Sequence, residues 1–172
     1  MGGVAERPGW VFPNLKSKMS LLQSLQTDCQ ARLQAQTFFS AAPAINVYVE
    51  MQKDITSRLN ELKARIGLAV IMVSPRLANK SPVAGSYPKW DRASIVARVI
   101  ERVIINRSSS GTGQPASLVA EACAYYLHSW APACTGYKLL CDEVSIADDP
   151  ECLIYDVHLF SGGLSNVAPV RI

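Results

Sequence analysis

Between Ser17 and Gln36 apolar residues return every three or four positions: Leu21, Leu22, Leu25, Cys29 and Leu33, with Gln23, Gln26, Gln30 and Gln34 between them. That spacing is one stripe of an α-helix. Ser17 or Ser20 supplies its N-cap, and Pro43 requires the helix to end before it. The period then changes. Over Ala44 to Met51, Ile45, Val47 and Val49 alternate with Asn46, Tyr48 and Glu50, the two-residue repeat of a half-buried strand. A short amphipathic helix follows, with Asp54 as N-cap, Ile55, Leu59, Leu62 and Ile66 as its stripe and Gly67 as its stop. Leu68 to Val73 is unbroken apolar sequence, which predicts a strand buried on both faces.

Residues 74–91 contain Pro75, Pro82, Pro88 and Gly85 and read as a long loop, a kind of segment usually kept for function. Arg92 to Asn106 is rich in β-branched residues and predicts the main central strand, bent or bulged near Glu101. After a flexible link over 108–114, Pro115 in a first-turn position opens a helix to about Trp130, with Leu118, Val119, Ala122, Tyr126 and Leu127 on its buried face. Tyr137 to Ala147 and Glu151 to Phe160 form a hairpin around Asp148-Asp149-Pro150. Leu153, Tyr155, Val157 and Leu159 face the core there, and Asp156 and His158 point the other way. The order predicts an α+β fold: a mixed, mostly antiparallel β-sheet with helices packed mainly on one face, its first two strands parallel across the small helix. Residues 1–16 read as an extended arm, 17–163 as a single domain and 164–172 as a short tail. Trp10, Val11 and Phe12 are too apolar for an idle arm and predict that it docks on something.

Composition narrows the classes. The 172 residues suit one domain, and 49% apolar against 18% charged, where soluble proteins average about 25% charged, excludes a disordered chain and suggests surface covered by partners. No apolar run approaches the roughly 18 residues of a membrane span, and Met1 to Pro13 lacks the pattern of a signal peptide, so the expected setting is the cytoplasm or something assembled there. Five cysteines, with no CxxC pair, predict reduced thiols acting as small apolar side chains. Residues 1–110 carry a net charge of +8 and residues 111–172 a net of −5. Such asymmetry fits a basic nucleic-acid face, two complementary surfaces that meet in an assembly, or halves that simply mix on the folded surface.

The catalytic inventory is thin. His128 falls late in a helix and His158 on the polar side of a strand; Cys123 and His128 are badly spaced for a thiolate–imidazole pair. There is no Gly-x-Ser-x-Gly elbow. Gly111-Thr-Gly before a helix lacks the lysine and hydroxyl of a phosphate loop. The acids of the last hairpin read as a partner-facing tip rather than a metal site. Arg76, Lys80, Lys89, Arg92, Arg98, Arg102 and Arg107, with Tyr87 and Trp90, offer a basic surface without any nucleic-acid-binding motif. The expectation is therefore no catalytic residue, no cofactor and no metal.

One resemblance lies in the layout. The amphipathic helix runs into Thr37-Phe-Phe and the strand Pro43-Ala-Ile-Asn-Val-Tyr-Val; a long loop precedes a strong strand, one helix follows, and a closing strand reads Leu153-Ile-Tyr-Asp-Val-His-Leu-Phe. Over residues 18–162 this resembles the tail terminator, or tail completion, proteins of long-tailed bacteriophages and related neck proteins. The resemblance implies a structural virion subunit at the tail–neck junction, assembled in the host cytoplasm. Its partners would be copies of itself in a ring (usually a hexamer), the tail tube protein and the neck or head-connector protein, with DNA only passing through the hole and no membrane. The family has no catalytic residues. The helix over 54–65 and the arm 1–16 depart from the family pattern, which keeps other neck or tail-tube-associated roles open. A cytoplasmic enzyme or a nucleic-acid-binding module is the competing class. The expected interface residues are Trp10, Phe12, Arg76, Lys80, Tyr87, Lys89, Trp90 and Arg92, with Asp148, Asp149 and Glu151 of the acidic tip meeting a neighbour's basic residues.

Overall fold

The computed structural model describes residues 20–50, 56–57, 60, 64, 67–78, 92–109 and 111–162. Helix α1 (Leu21–Gln34) starts at Ser20, whose Oγ accepts from the Gln23 N–H while Gln23 Oε1 accepts from the Ser20 N–H, a reciprocal capping box. Of the predicted stripe Leu25, Cys29 and Leu33 are buried and Leu21 and Leu22 half-buried, and Gln26, read as lying between the stripe residues, is buried with them. A short turn, α2 (Thr37–Ser40), buries Phe39 and leads into β1 (Asn46–Val49). The remaining elements are β2 (Leu68–Ala78), β3 (Arg92–Glu101), α3 (Val103–Asn106), α4 (Ala116–Leu127), β4 (Leu140–Ala147) and β5 (Leu153–Gly162).

The five strands form one sheet in the order β1-β2-β3-β5-β4. β1 and β2 are parallel and every other pair is antiparallel, as the sequence pattern predicts. Helices α1 and α4 pack on the same face of the sheet. The core lies between, with Leu25, Leu33, Leu68, Met72, Ile95, Val119 and Leu127 fully buried. The other face holds a smaller apolar cluster of Tyr48, Ala69, Ile71, Val73, Ile100 and Cys152. Both faces of β1 and β2 are thus apolar, and Tyr48 is buried where strict alternation put it on a polar face.

Four expectations are corrected. Strand β2 continues past Val73 to Ala78, with a register shift between Val73 and Arg76, so residues 74–78 belong to the sheet rather than to the loop. A bulge lets Pro75 enter a ladder that it would otherwise interrupt. The central strand stops at Glu101, and Val103–Asn106 is a helical turn instead of more strand. Leu118 lies on the solvent side of α4, because the buried stripe Ala116, Val119, Ala120, Cys123 and Leu127 follows the three- and four-residue helical spacing and position 118 falls off it. Leu153, expected in the core, is 44% exposed. Of the helix predicted over 54–66, Thr56, Ser57 and Asn60 are described and helical; its apolar stripe lies outside the described residues, as do the arm 1–16 and the tail 164–172.

The turn after Glu101 has a definite cause. The Glu101 carboxylate, 1% exposed, accepts from Asn106 Nδ2 at 2.7 Å and from the Ala116 N–H at 2.8 Å. Asn106, fully buried, also donates to the Gln114 carbonyl and accepts from Thr112 Oγ1. The Arg102 N–H donates to the Gly67 carbonyl, which pulls the chain toward the start of β2. Gly67 (φ +75°) and Gly111 lie against the Asn106 backbone, where a Cβ on either would overlap it. The β-branched run Val103-Ile-Ile is therefore folded into a turn by a tertiary hydrogen-bond network that outweighs its strand propensity.

Candidate interaction surface

The acidic tip forms as predicted between β4 and β5, with Asp148, Pro150 and Glu151 exposed. Asp149 differs from its neighbours. Its Oδ1 accepts from the Glu151 and Cys152 N–H groups at 2.9 Å each, so this carboxylate shapes the turn rather than facing outward for a partner. Arg92 opens β3 and its guanidinium sits 4.2 Å from the Phe160 ring centroid. Arg76 is exposed on β2. Arg92 pairs with Gly162 at the end of β5, and the tip precedes Leu153 at its start, so within one subunit acidic and basic groups lie at opposite ends of the strand. Trp10, Phe12, Lys80, Tyr87, Lys89 and Trp90 lie outside the described residues.

The sheet face opposite α1 and α4 carries a polar groove of about 400 Å³, lined by Arg76, Arg92, Ser94, Arg98, Asp142, Asp156, His158 and Phe160 among others. Register explains it. Arg98 and Asp156 are directly opposite on β3 and β5, and Arg98 makes a two-pronged contact, Nε to Oδ1 at 2.8 Å and Nη2 to Oδ2 at 2.7 Å. The Asp156 hydrogen bond and charge hold the Arg98 guanidinium pKa above its ordinary value. His158 Nε2 lies 3.1 Å from Ser145 Oγ. His128 Nδ1 accepts the Cys141 N–H at 3.1 Å, so this histidine caps the start of the edge strand. Of these contacts only Ser145 Oγ–His158 Nε2 sets a hydroxyl against an imidazole, and among the described residues no second hydrogen bond orients that ring as a base.

Other chemistry is occupied or muted. The first amide of α4, where an anion would bind, is already taken by Glu101. Among the described residues no three His, Cys, Asp or Glu side chains are placed to hold a metal ion, and no helix is long and apolar enough to cross a membrane. All five cysteines are free. Burial pushes the Cys29 and Cys123 thiols far up, and burial with a hydrogen bond donated to the Asp28 carboxylate raises Cys134 to about 12, so none of the three is a ready thiolate.

One surface was missed by sequence reasoning. Val144 and Ile146 of the edge strand β4 pair with Val157 and Tyr155, which places them on the helix-covered face, yet they are 44% and 68% exposed. Leu153, two residues before Tyr155, extends this strip, and Tyr125 of α4 is 77% exposed beside Cys141 of β4. Ile104 of α3 is 85% exposed. The available signal was the hairpin itself: both its strands carry apolar alternation, more than the helices predicted for that face can cover. The opposite sheet edge is different, because the Val47 carbonyl of β1 accepts from Gln30 and Gln34 of α1.

No protein-family model and no curated protein matches the chain at a significant level. Among solved structures, a chain described as "Virion of native gene transfer agent (GTA) particle" aligns with a TM-score of 0.54 at 14% identity, covering 81% of this chain and 93% of that one. A second solved chain aligns with a TM-score of 0.44 at 12% identity, over 81% of this chain and 90% of its own length. At 14% identity the first likeness is one of fold.

Proposed function

We propose that this protein is a structural virion subunit: a ring-forming tail terminator, or tail completion, protein that caps the tail tube and joins it to the neck or head connector. The observation that carries the reading is the likeness of fold, across 81% of this chain and 93% of the other, to a chain from a gene transfer agent virion. The layout resemblance read from the sequence supports the same class. So does a surface with unlike acidic, basic and apolar patches, which is what a head-to-tail ring requires. On this reading the partners are further copies of the chain (a hexamer by the family pattern), the tail tube protein and the connector. DNA passes as cargo, and no catalytic step or cofactor is involved. Another neck or tail-tube-associated role is the alternative, since the fold likeness does not distinguish positions along a virion.

Electron microscopy of particles decorated with gold-labelled antibody against this chain tests the assignment. Label confined to the junction between head and tail is expected. Label distributed along the tail shaft, or none on intact particles, contradicts it.

A further inference from the structure

We propose that the α3 turn of one subunit seats Ile104 on the apolar strip Val144, Ile146 and Leu153 of the next copy, with Arg107 facing Asp148 and Glu151. This contact rests on the ring reading and names where its subunits join.

Three observations converge. First, the turn is built to present its isoleucine. Asn106 is locked by Glu101, Thr112 and the Gln114 carbonyl, and Gly67 and Gly111 close on its backbone, yet this rigid scaffold ends in a side chain that is 85% exposed. A preorganised apolar projection loses little freedom on docking, which is how a small contact gains affinity.

Second, the charges are complementary. Residues 102–120 contain Arg102 and Arg107 and no acid, whereas residues 139–154 contain Asp142, Glu143, Asp148, Asp149 and Glu151 and no base. Those acids also disfavour edge-to-edge pairing of two β4 strands, where like charges would meet. The strip therefore selects a basic apolar partner, and the α3 turn of this chain is one.

Third, the two patches are unlike and lie on different strands. The turn α3 follows β3 and is tied toward β2 by the Arg102 N–H to the Gly67 carbonyl, while Val144 and Ile146 lie on the edge strand β4. The strip and the turn share the end of the sheet at which β3 stops and β5 starts, since Glu101 pairs with Leu153. A contact between two unlike patches is heterologous, the kind that closes into a ring when the rotation permits.

The test uses the full chain, mixed from copies grown in light and heavy nitrogen, with the substitution Ile104→benzoylphenylalanine for photo-crosslinking. Crosslinks between light and heavy copies from position 104 to residues 140–153 are expected. Crosslinks only within one copy, onto α1 and β1, or only to a different virion protein overturn the contact. In parallel, Ile104→Asp is expected to weaken self-association roughly tenfold or more, the factor set by losing one buried aliphatic side chain, with an unchanged melting temperature. Arg107→Glu should weaken association at low salt and be rescued by Glu151→Arg. Wild-type rings together with equal assembly of Ile104→Asp overturn this contact and leave the ring reading standing. A wild-type chain that stays monomeric at every concentration overturns both.

Discussion

Two buried polar residues behave in opposite ways. Glu101 has both its carboxylate oxygens committed, to Asn106 and to the first amide of α4. Gln26, also fully buried, donates to the Met72 carbonyl at 3.0 Å, but its Oε1 has no partner. The Met72 carbonyl keeps a second donor, the Glu50 N–H at 3.1 Å. Truncating Glu101 strands two buried donors, so Glu101→Ala is expected to cost about 2–4 kcal/mol in urea denaturation followed by circular dichroism. Gln26→Met removes an orphaned acceptor at nearly constant volume and should change stability by less than about 1 kcal/mol, or raise it. Equal losses at the two positions would refute this accounting. The sequence marked neither residue. Glu101 stood out only as the bend in a strand, and Gln26 as one glutamine among several between the leucines of α1, because what each accepts or donates is decided by segments far away in the chain.

At the level of elements, local pattern served where a period ran uninterrupted. The stripe of α1, the alternation of β1 and the β4–β5 hairpin were all legible in the chain, and the parallel pairing of β1 with β2 followed from the small helix between them. It failed where tertiary contacts overrule propensity. Val103-Ile-Ile has strand chemistry but is drawn into α3 by Asn106 and the Gly67 carbonyl. Pro75 looked like a loop residue, yet a register shift accommodates it in β2. The glycines around α3 give a discriminating test. Gly67→Ala places a Cβ into the Asn106 backbone at a φ of +75° and should destabilise the fold by roughly 2 kcal/mol or more. Gly113→Ala, with a φ of +71° but open space around it, should cost only about 1 kcal/mol. Similar losses for both would mean that α3 is not clamped as described.

For the whole molecule, the sheet with two helices on one face leaves one edge partly covered by α1 side chains and the other, β4, carrying apolar residues into solvent. The charge asymmetry that the sequence displayed is partly mixed by folding, since Arg98 pairs with Asp156 across β3 and β5, while the acids of the tip and Arg92 sit at opposite ends of β5. What the chain could not reveal was the apolar strip, because Leu153, Val144 and Ile146 have the alternation of core residues and the pattern does not tell which of them stay exposed. It also assigned Asp149 to the interface, whereas that carboxylate holds the turn, so a charge reversal aimed at assembly belongs at Asp148 and Glu151. On the proposed reading these surfaces meet further copies of the chain. Light scattering on the purified full chain, paired with electron micrographs of the same fractions, tests that claim most directly. The account predicts a closed ring with a central hole and a mass that is a whole multiple of 18.7 kDa. A single species of 18.7 kDa from micromolar to millimolar concentration, with no rings on the grid, would contradict it.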